Sequence, residues 1–146
     1  MQELMLSLLL WLGANTDFNN KVELPKIEYR DFAELYKMGY KKHATNPNLP
    51  RVWAIYDDSV VYLHLWFDLQ NVQDQSRLLH ELVHHLQVKD GRLYRCDSMM
   101  EPEAHRIQKQ WLEARSEYYF GPSEKDLALE YFCGPNESEE IEAKYG

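Results

Sequence analysis

The sequence predicts an α+β fold: one mostly helical domain with a small antiparallel sheet and a central helix. Three observations carry this expectation. Residues 75–88 (Gln-Ser-Arg-Leu-Leu-His-Glu-Leu-Val-His-His-Leu-Gln-Val) contain no Gly or Pro, and their apolar residues recur at helical spacing. Upstream, two runs rich in β-branched and aromatic residues, 52–56 and 60–66, flank the polar turn Asp57-Asp58-Ser59 and read as a hairpin. A length of 146 residues suits one domain with a core of ordinary size.

The elements follow in order. Residues 2–13 read as a helix stopped by Gly13 and Asn15. Its segment 4–12 has the apolar character of a signal-peptide core. However, Glu3 is the only charge before it, and it is too short to span a bilayer. We read it as a buried first helix, from which a cytoplasmic location and no membrane partner follow as expectations. Residues 14–21 are a polar connection, and 22–29 alternate partly around Pro25, as a short edge strand would. Asp31 can cap a helix over 32–39. Residues 41–50 form an Asn- and Pro-rich loop.

After the hairpin and the central helix, Gly91 is the expected left-handed stop. Pro102, with Glu101 and Glu103, opens a further helix that the apolar stripe Ala104, Ile107, Trp111, Ala114 and Tyr118 carries to about Tyr119. Gly121-Pro122 breaks it, and Ser123 with Asp126 resembles a capping box for a last helix over 124–132. The domain therefore spans 1–133, and 134–146 reads as a flexible acidic tail.

Composition narrows the function. Hydrophobic residues make up 45% of the chain and aromatic residues 13%, so a packed globular core is expected. The net charge of −8, with no basic run longer than Lys41-Lys42, argues against nucleic acid as a partner, because phosphate binding needs a basic surface. Cys96 and Cys133 fit no CxxC pattern; they can form one disulfide, but free, buried thiols are the expected state.

The central helix carries His80-Glu81-Leu82-Val83-His84, an HExxH motif. Such a motif arises by chance roughly 0.02 times in a chain of this length and composition. Histidines four apart lie one turn apart on one helix face and can share a zinc ion. The intervening glutamate can then act as general base toward a water that the metal polarises. Leu78, Leu79, Leu82, Val83 and Leu86 fill an apolar arc of about 140°, and His80 and His84 fall on the opposite arc, toward solvent or a cleft. The plain alternative is an amphipathic helix with two exposed histidines. His85 borders the apolar arc, which suits a core or supporting role. His64, on the second hairpin strand, is expected to be half-exposed.

A catalytic zinc takes three protein ligands and keeps one position open. The longer HExxHxxGxxH pattern is absent, since neither Gly nor His occupies the required positions after His84. Downstream candidates are Cys96, Asp97, Glu101, Glu103 and His105.

His80-Glu81-Leu82-Val83-His84 followed by Glu101-Pro102-Glu103-Ala104 resembles the gluzincin arrangement, in which an ExxA glutamate lies on the helix after the HExxH. The chain is similar to minimal gluzincin domains over about residues 1–120, and the motifs alone carry the specificity. The resemblance implies a zincin-like domain with zinc bound by His80, His84 and Glu101, and with Glu81 as base. The ExxA spacing favours Glu101, whereas the helical wheel puts Glu103 nearer the apolar stripe. The family's usual acidic residue four after the glutamate is His105 here.

The expected activity is zinc-dependent hydrolysis of a peptide or protein substrate, with His105, Tyr94 or His64 as oxyanion donor. The alternative is an inactive or latent module of the same fold that binds a protein partner.

Overall fold

The computed structural model describes residues 1–39 and 52–133. The expected loop at 41–50 and the acidic tail at 134–146 lie outside the described residues.

The longest helix is α3 (Val72–Lys89). It starts where the Asn71 side chain accepts the Asp74 backbone N–H at 3.0 Å, satisfying one of the N–H groups a helix start leaves unpaired. It ends before Gly91, whose φ of +65° is the left-handed conformation expected there. Leu78, Leu79, Leu82, Val83 and Leu86 are completely buried. Each such side chain contributes about 1.5–3 kcal/mol when removed from water.

α1 (Gln2–Asn15) packs against α3 through Met5, Leu8, Leu9 and Leu12. It runs through Gly13, the expected stop, and ends where Thr16 returns its N–H to the Leu12 carbonyl. Among the described residues, no helix is long and apolar enough to cross a membrane.

Among the described residues, three strands form one sheet: β1 (Lys26–Arg30), β2 (Ala54–Asp57) and β3 (Val60–His64), in the order β1-β3-β2. β2 and β3 form the expected antiparallel hairpin. Asp58 and Ser59 turn it, both at positive φ, as a two-residue hairpin turn requires. β1 pairs with β3 in parallel, so the sheet is mixed and not purely antiparallel as expected. α2 (Phe32–Gly39) follows β1; β2 then runs opposite to β1 on the far side of β3, and the hairpin reversal brings β3 back parallel to β1. α2 starts as expected, with the Asp31 carboxylate accepting the Glu34 N–H at 2.8 Å.

α4 (Met100–Glu113) packs along α3, preceded by a single 3-10 turn at Asp97–Met99. It ends six residues before the expected Tyr119. Ser116 takes a φ of +57°, and the Glu117 N–H returns to the Leu112 carbonyl at 2.9 Å. This is a left-handed helix stop built on serine where glycine is usual, which hides it from composition. α5 (Glu124–Glu130) begins with the expected capping box between Ser123 and Asp126 and buries Leu127 against the body.

Cys96 and Cys133 form a disulfide, correcting the expectation of free thiols. Thirty-seven residues separate them, but α5 folds back toward α4 and brings their Cα atoms to 5.8 Å. The bridge ties the end of α5 to the segment preceding α4. Closing a loop of this length removes about 4 kcal/mol of unfolded-state entropy.

His85 ties α3 to β2 and to the segment before β1. Its Nε2–H donates to the Glu23 carbonyl at 2.7 Å, so its Nδ1 accepts the Tyr56 hydroxyl at 2.9 Å. Burial pushes the His85 pKa below its ordinary value of 6.5.

Two outcomes are expected. Replacing Cys96 and Cys133 by serine should lower stability by about 2–4 kcal/mol in urea unfolding, and reductant should reproduce the loss in wild type only. Because the folded-state pKa of His85 is depressed, the unfolded chain binds the extra proton, and stability should fall as the pH drops below about 6.5. His85→Gln keeps one donor and one acceptor without titrating, so its urea midpoint should fall less over the same range.

Candidate metal centre

α3 and α4 meet along the face of α3 opposite its leucines. The expectation left His80 and His84 facing either solvent or a cleft. They face α4 and are buried, at 4% and 0% exposed, together with Glu81 at 2% and Glu101 at 6%. The histidine Nε2 atoms lie 3.1 Å apart. Glu101 places Oε2 3.2 Å from His80 Nε2 and Oε1 2.8 Å from His84 Nε2. Three electron-pair donors from two helices therefore point at one volume.

The surrounding hydrogen bonds fix which ring nitrogens carry protons. Ser76 donates its hydroxyl to the Gln73 carbonyl and accepts from Gln108 Nε2 at 3.1 Å. This turns the Gln108 carbonyl oxygen toward His80 Nδ1 at 3.0 Å. Gln87 spends its amide N–H groups on the Met100 carbonyl and Glu103, both at 3.0 Å. Its carbonyl oxygen then faces His84 Nδ1 at 2.7 Å. An amide oxygen only accepts, so each imidazole donates from Nδ1 and keeps its Nε2 lone pair for the shared volume.

That arrangement calls for a cation. Burial raises the pKa of Glu101, and only positive charge at the facing His84 and His80 rings holds it well below the usual carboxylate range. A buried carboxylate beside two lone pairs is unfavourable unless positive charge lies between them. Around a tetrahedral zinc with ligands at 2.0–2.1 Å, neighbouring ligand atoms stand about 3.3 Å apart, close to the separations found here. The donor set fits a divalent metal ion.

Glu81 stands beside this cluster. A ligand atom from each of His80, Glu81 and His84 lies within 4.8 Å of the others. Its carboxyl accepts the backbone N–H of Tyr56. In the hairpin, Ile55 faces Tyr62 and His64 donates to Trp53, so the main-chain groups of Tyr56 point away from β3, toward α3. Glu81 Oε1 is buried and has no hydrogen-bond partner. Burial pushes its pKa up to about 7, against the opposing pull of His80 and His84.

His105 completes the wall. Its Nε2 lies 3.6 Å from Glu101 Oε2, and its ring centroid is 4.5 Å from that of His80. Tyr119 Oη is 3.0 Å from His105 Nδ1. With that hydroxyl donating, the ring proton sits on Nε2 and faces the Glu101 carboxylate, avoiding a lone pair against a negative charge. Burial, then the neighbouring imidazole of His80, pushes His105 down to about 3, so it is neutral at pH 7. Burial, then the Glu101 charge, pushes Tyr119 up to about 12.

Other sequence candidates lie elsewhere. Glu103 accepts from Tyr94 at 2.6 Å and from Gln87, one layer behind His84. Tyr94 is thereby engaged away from the cluster. Cys96 is held in the disulfide. His64 is buried rather than half-exposed, bonded to Asp74 at 2.9 Å and stacked on Phe32.

The residues that sequence reasoning missed are Gln87, Gln108 and Tyr119. The first two had a signal: Gln87 lies three after His84, and Gln108 lies seven after Glu101 on the face of His105. Tyr119 had none, because the chain reaches it after the serine turn. A side chain at Gly121 would collide with the Tyr119 ring, so glycine there lets the chain fold over the tyrosine that holds His105.

No curated protein and no solved structure matches the chain. Residues 1–118 match the family described as Domain of unknown function (DUF6647), and the chain belongs to that family.

Proposed function

We infer that the protein is a zinc-dependent hydrolase, a metallopeptidase of the gluzincin kind, with His80, His84 and Glu101 as zinc ligands and Glu81 as general base. The observation that carries this reading is the convergence of two Nε2 lone pairs and a carboxylate within 2.8–3.2 Å, beside a buried carboxyl with an unpartnered oxygen. Two imidazoles and one glutamate are the ligand set of a class of catalytic zinc sites. Bound there, zinc would supply Lewis-acid polarisation of a carbonyl and of a water molecule.

The chain's own residues account for the rest. Glu81 is held at one end by the Tyr56 N–H, leaving Oε1 to take a proton from the attacking water and pass it to the departing amine. A carboxyl whose pKa is near 7 suits both transfers at neutral pH. His105, neutral with its proton on Nε2, is the donor best placed for a developing oxyanion. The Cys96–Cys133 disulfide favours an oxidising compartment over the cytoplasm.

A second reading also has an observation behind it. His80, Glu101 and His105 form another group whose ligand atoms lie within 4.8 Å of one another. With His105 as a fourth ligand the site would be closed, as in a structural or latent module that binds a protein partner.

Purified protein should carry about one zinc per chain by elemental analysis, and His84→Ala should lose it. Glu81→Gln should retain the zinc yet lose hydrolysis of a casein-derived peptide mixture; retained hydrolysis would remove Glu81 from the role of base. Gln108→Leu removes the acceptor that orients His80. It should weaken zinc binding about 10- to 100-fold in a chelator competition.

A further inference from the structure

A cavity of about 710 Å³ lies between α4, the 117–123 segment and α5. Its size falls within the range of roughly 300–1,000 Å³ typical of ligand pockets. His105 belongs to this lining and also stands 3.6 Å from Glu101, so one imidazole separates the cavity from the candidate metal centre.

The walls determine what fits. Tyr119 and Tyr131 stand with their ring centroids each 6.3 Å from that of His105, making an aromatic inner end. Pro102 from α4 and Leu127 from α5 add apolar surface. The charged residues of the lining are exposed and of both signs, so the mouth favours no ionic group. The disulfide ties the end of α5 to the segment before α4, holding the far wall at a set distance from Glu101.

We propose that this cavity receives a bulky apolar or aromatic side chain of a peptide substrate, from the residue next to the scissile bond. The proposal rests on the peptidase reading above and gives it a substrate class. Successive residues of an extended chain are about 3.3–3.6 Å apart. A peptide carbonyl at the cluster therefore carries its neighbouring side chain past His105 into the cavity. An apolar side chain leaves water there and meets aromatic walls, whereas a carboxylate would lose its hydration with no fixed cation inside.

The test measures binding, not turnover. Full-length Glu81→Gln protein is titrated calorimetrically with N-acetyl-Ala-Xaa-Ala-amide peptides, Xaa being Phe or Asp, both zinc-loaded and metal-free. Phe should bind about tenfold or more tighter than Asp. Ala128 lines the cavity from an exposed position on α5, so adding Ala128→Trp should fill the cavity and abolish the preference. Leu129→Trp, on an exposed position outside the lining, should leave the preference intact. Circular dichroism reports whether either variant unfolds.

Equal binding of the two peptides, no binding of either, or a preference surviving in Ala128→Trp would overturn the proposal. Failure of the metal reading appears separately, as absent zinc uptake. In that case the Phe-to-Asp ratio of the metal-free protein still decides the pocket.

Discussion

Two imidazole lone pairs and a carboxylate facing one another in a dry interior repel, and the rest of the structure is arranged to hold them there. The repulsion is borne by two helices. α3 contributes His80 and His84 one turn apart, and α4 contributes Glu101 from its first turn. Neither helix could keep these groups buried alone. Five fully buried apolar side chains of α3 anchor it against α1 and the sheet, while Ala104, Ile107, Trp111 and Leu112 anchor α4. Packing free energy on one face thus offsets electrostatic cost on the other.

Orientation comes from amides. Gln108 and Gln87 each accept a hydrogen bond from a histidine Nδ1–H, and each is turned the right way by its own donors. In many metal sites a carboxylate plays this part. A neutral amide holds the same tautomer without adding negative charge next to Glu101. Glu103, a negative group one layer out, is spent on Tyr94 and Gln87. The centre therefore concentrates its negative charge in the residues that face the shared volume.

Local patterns were legible in the sequence. The caps at Asp31 and Ser123, the Gly91 stop, the hairpin and the apolar arc of α3 are all set by residues within a few positions of one another. Glu101 was separable from Glu103 only through a motif, because a helical wheel shows faces and not neighbours. What stayed illegible is long-range or atypical. Parallel pairing of β1 with β3 joins Lys26 with Val60 across the intervening α2 and β2, and the disulfide joins residues 37 apart. The end of α4 rests on serine at positive φ. His64 looked half-exposed because strand alternation cannot show that α2 and its Phe32 cover it.

The most direct measurement is zinc K-edge X-ray absorption on the zinc-loaded wild-type protein. The account predicts two imidazole nitrogens and one carboxylate oxygen at about 2.0–2.1 Å, with one further light atom from solvent. Three imidazoles in the spectrum would place His105 on the metal and close the site. A spectrum of hydrated zinc alone would mean that His80, His84 and Glu101 do not bind the ion together, which would contradict the account at its centre.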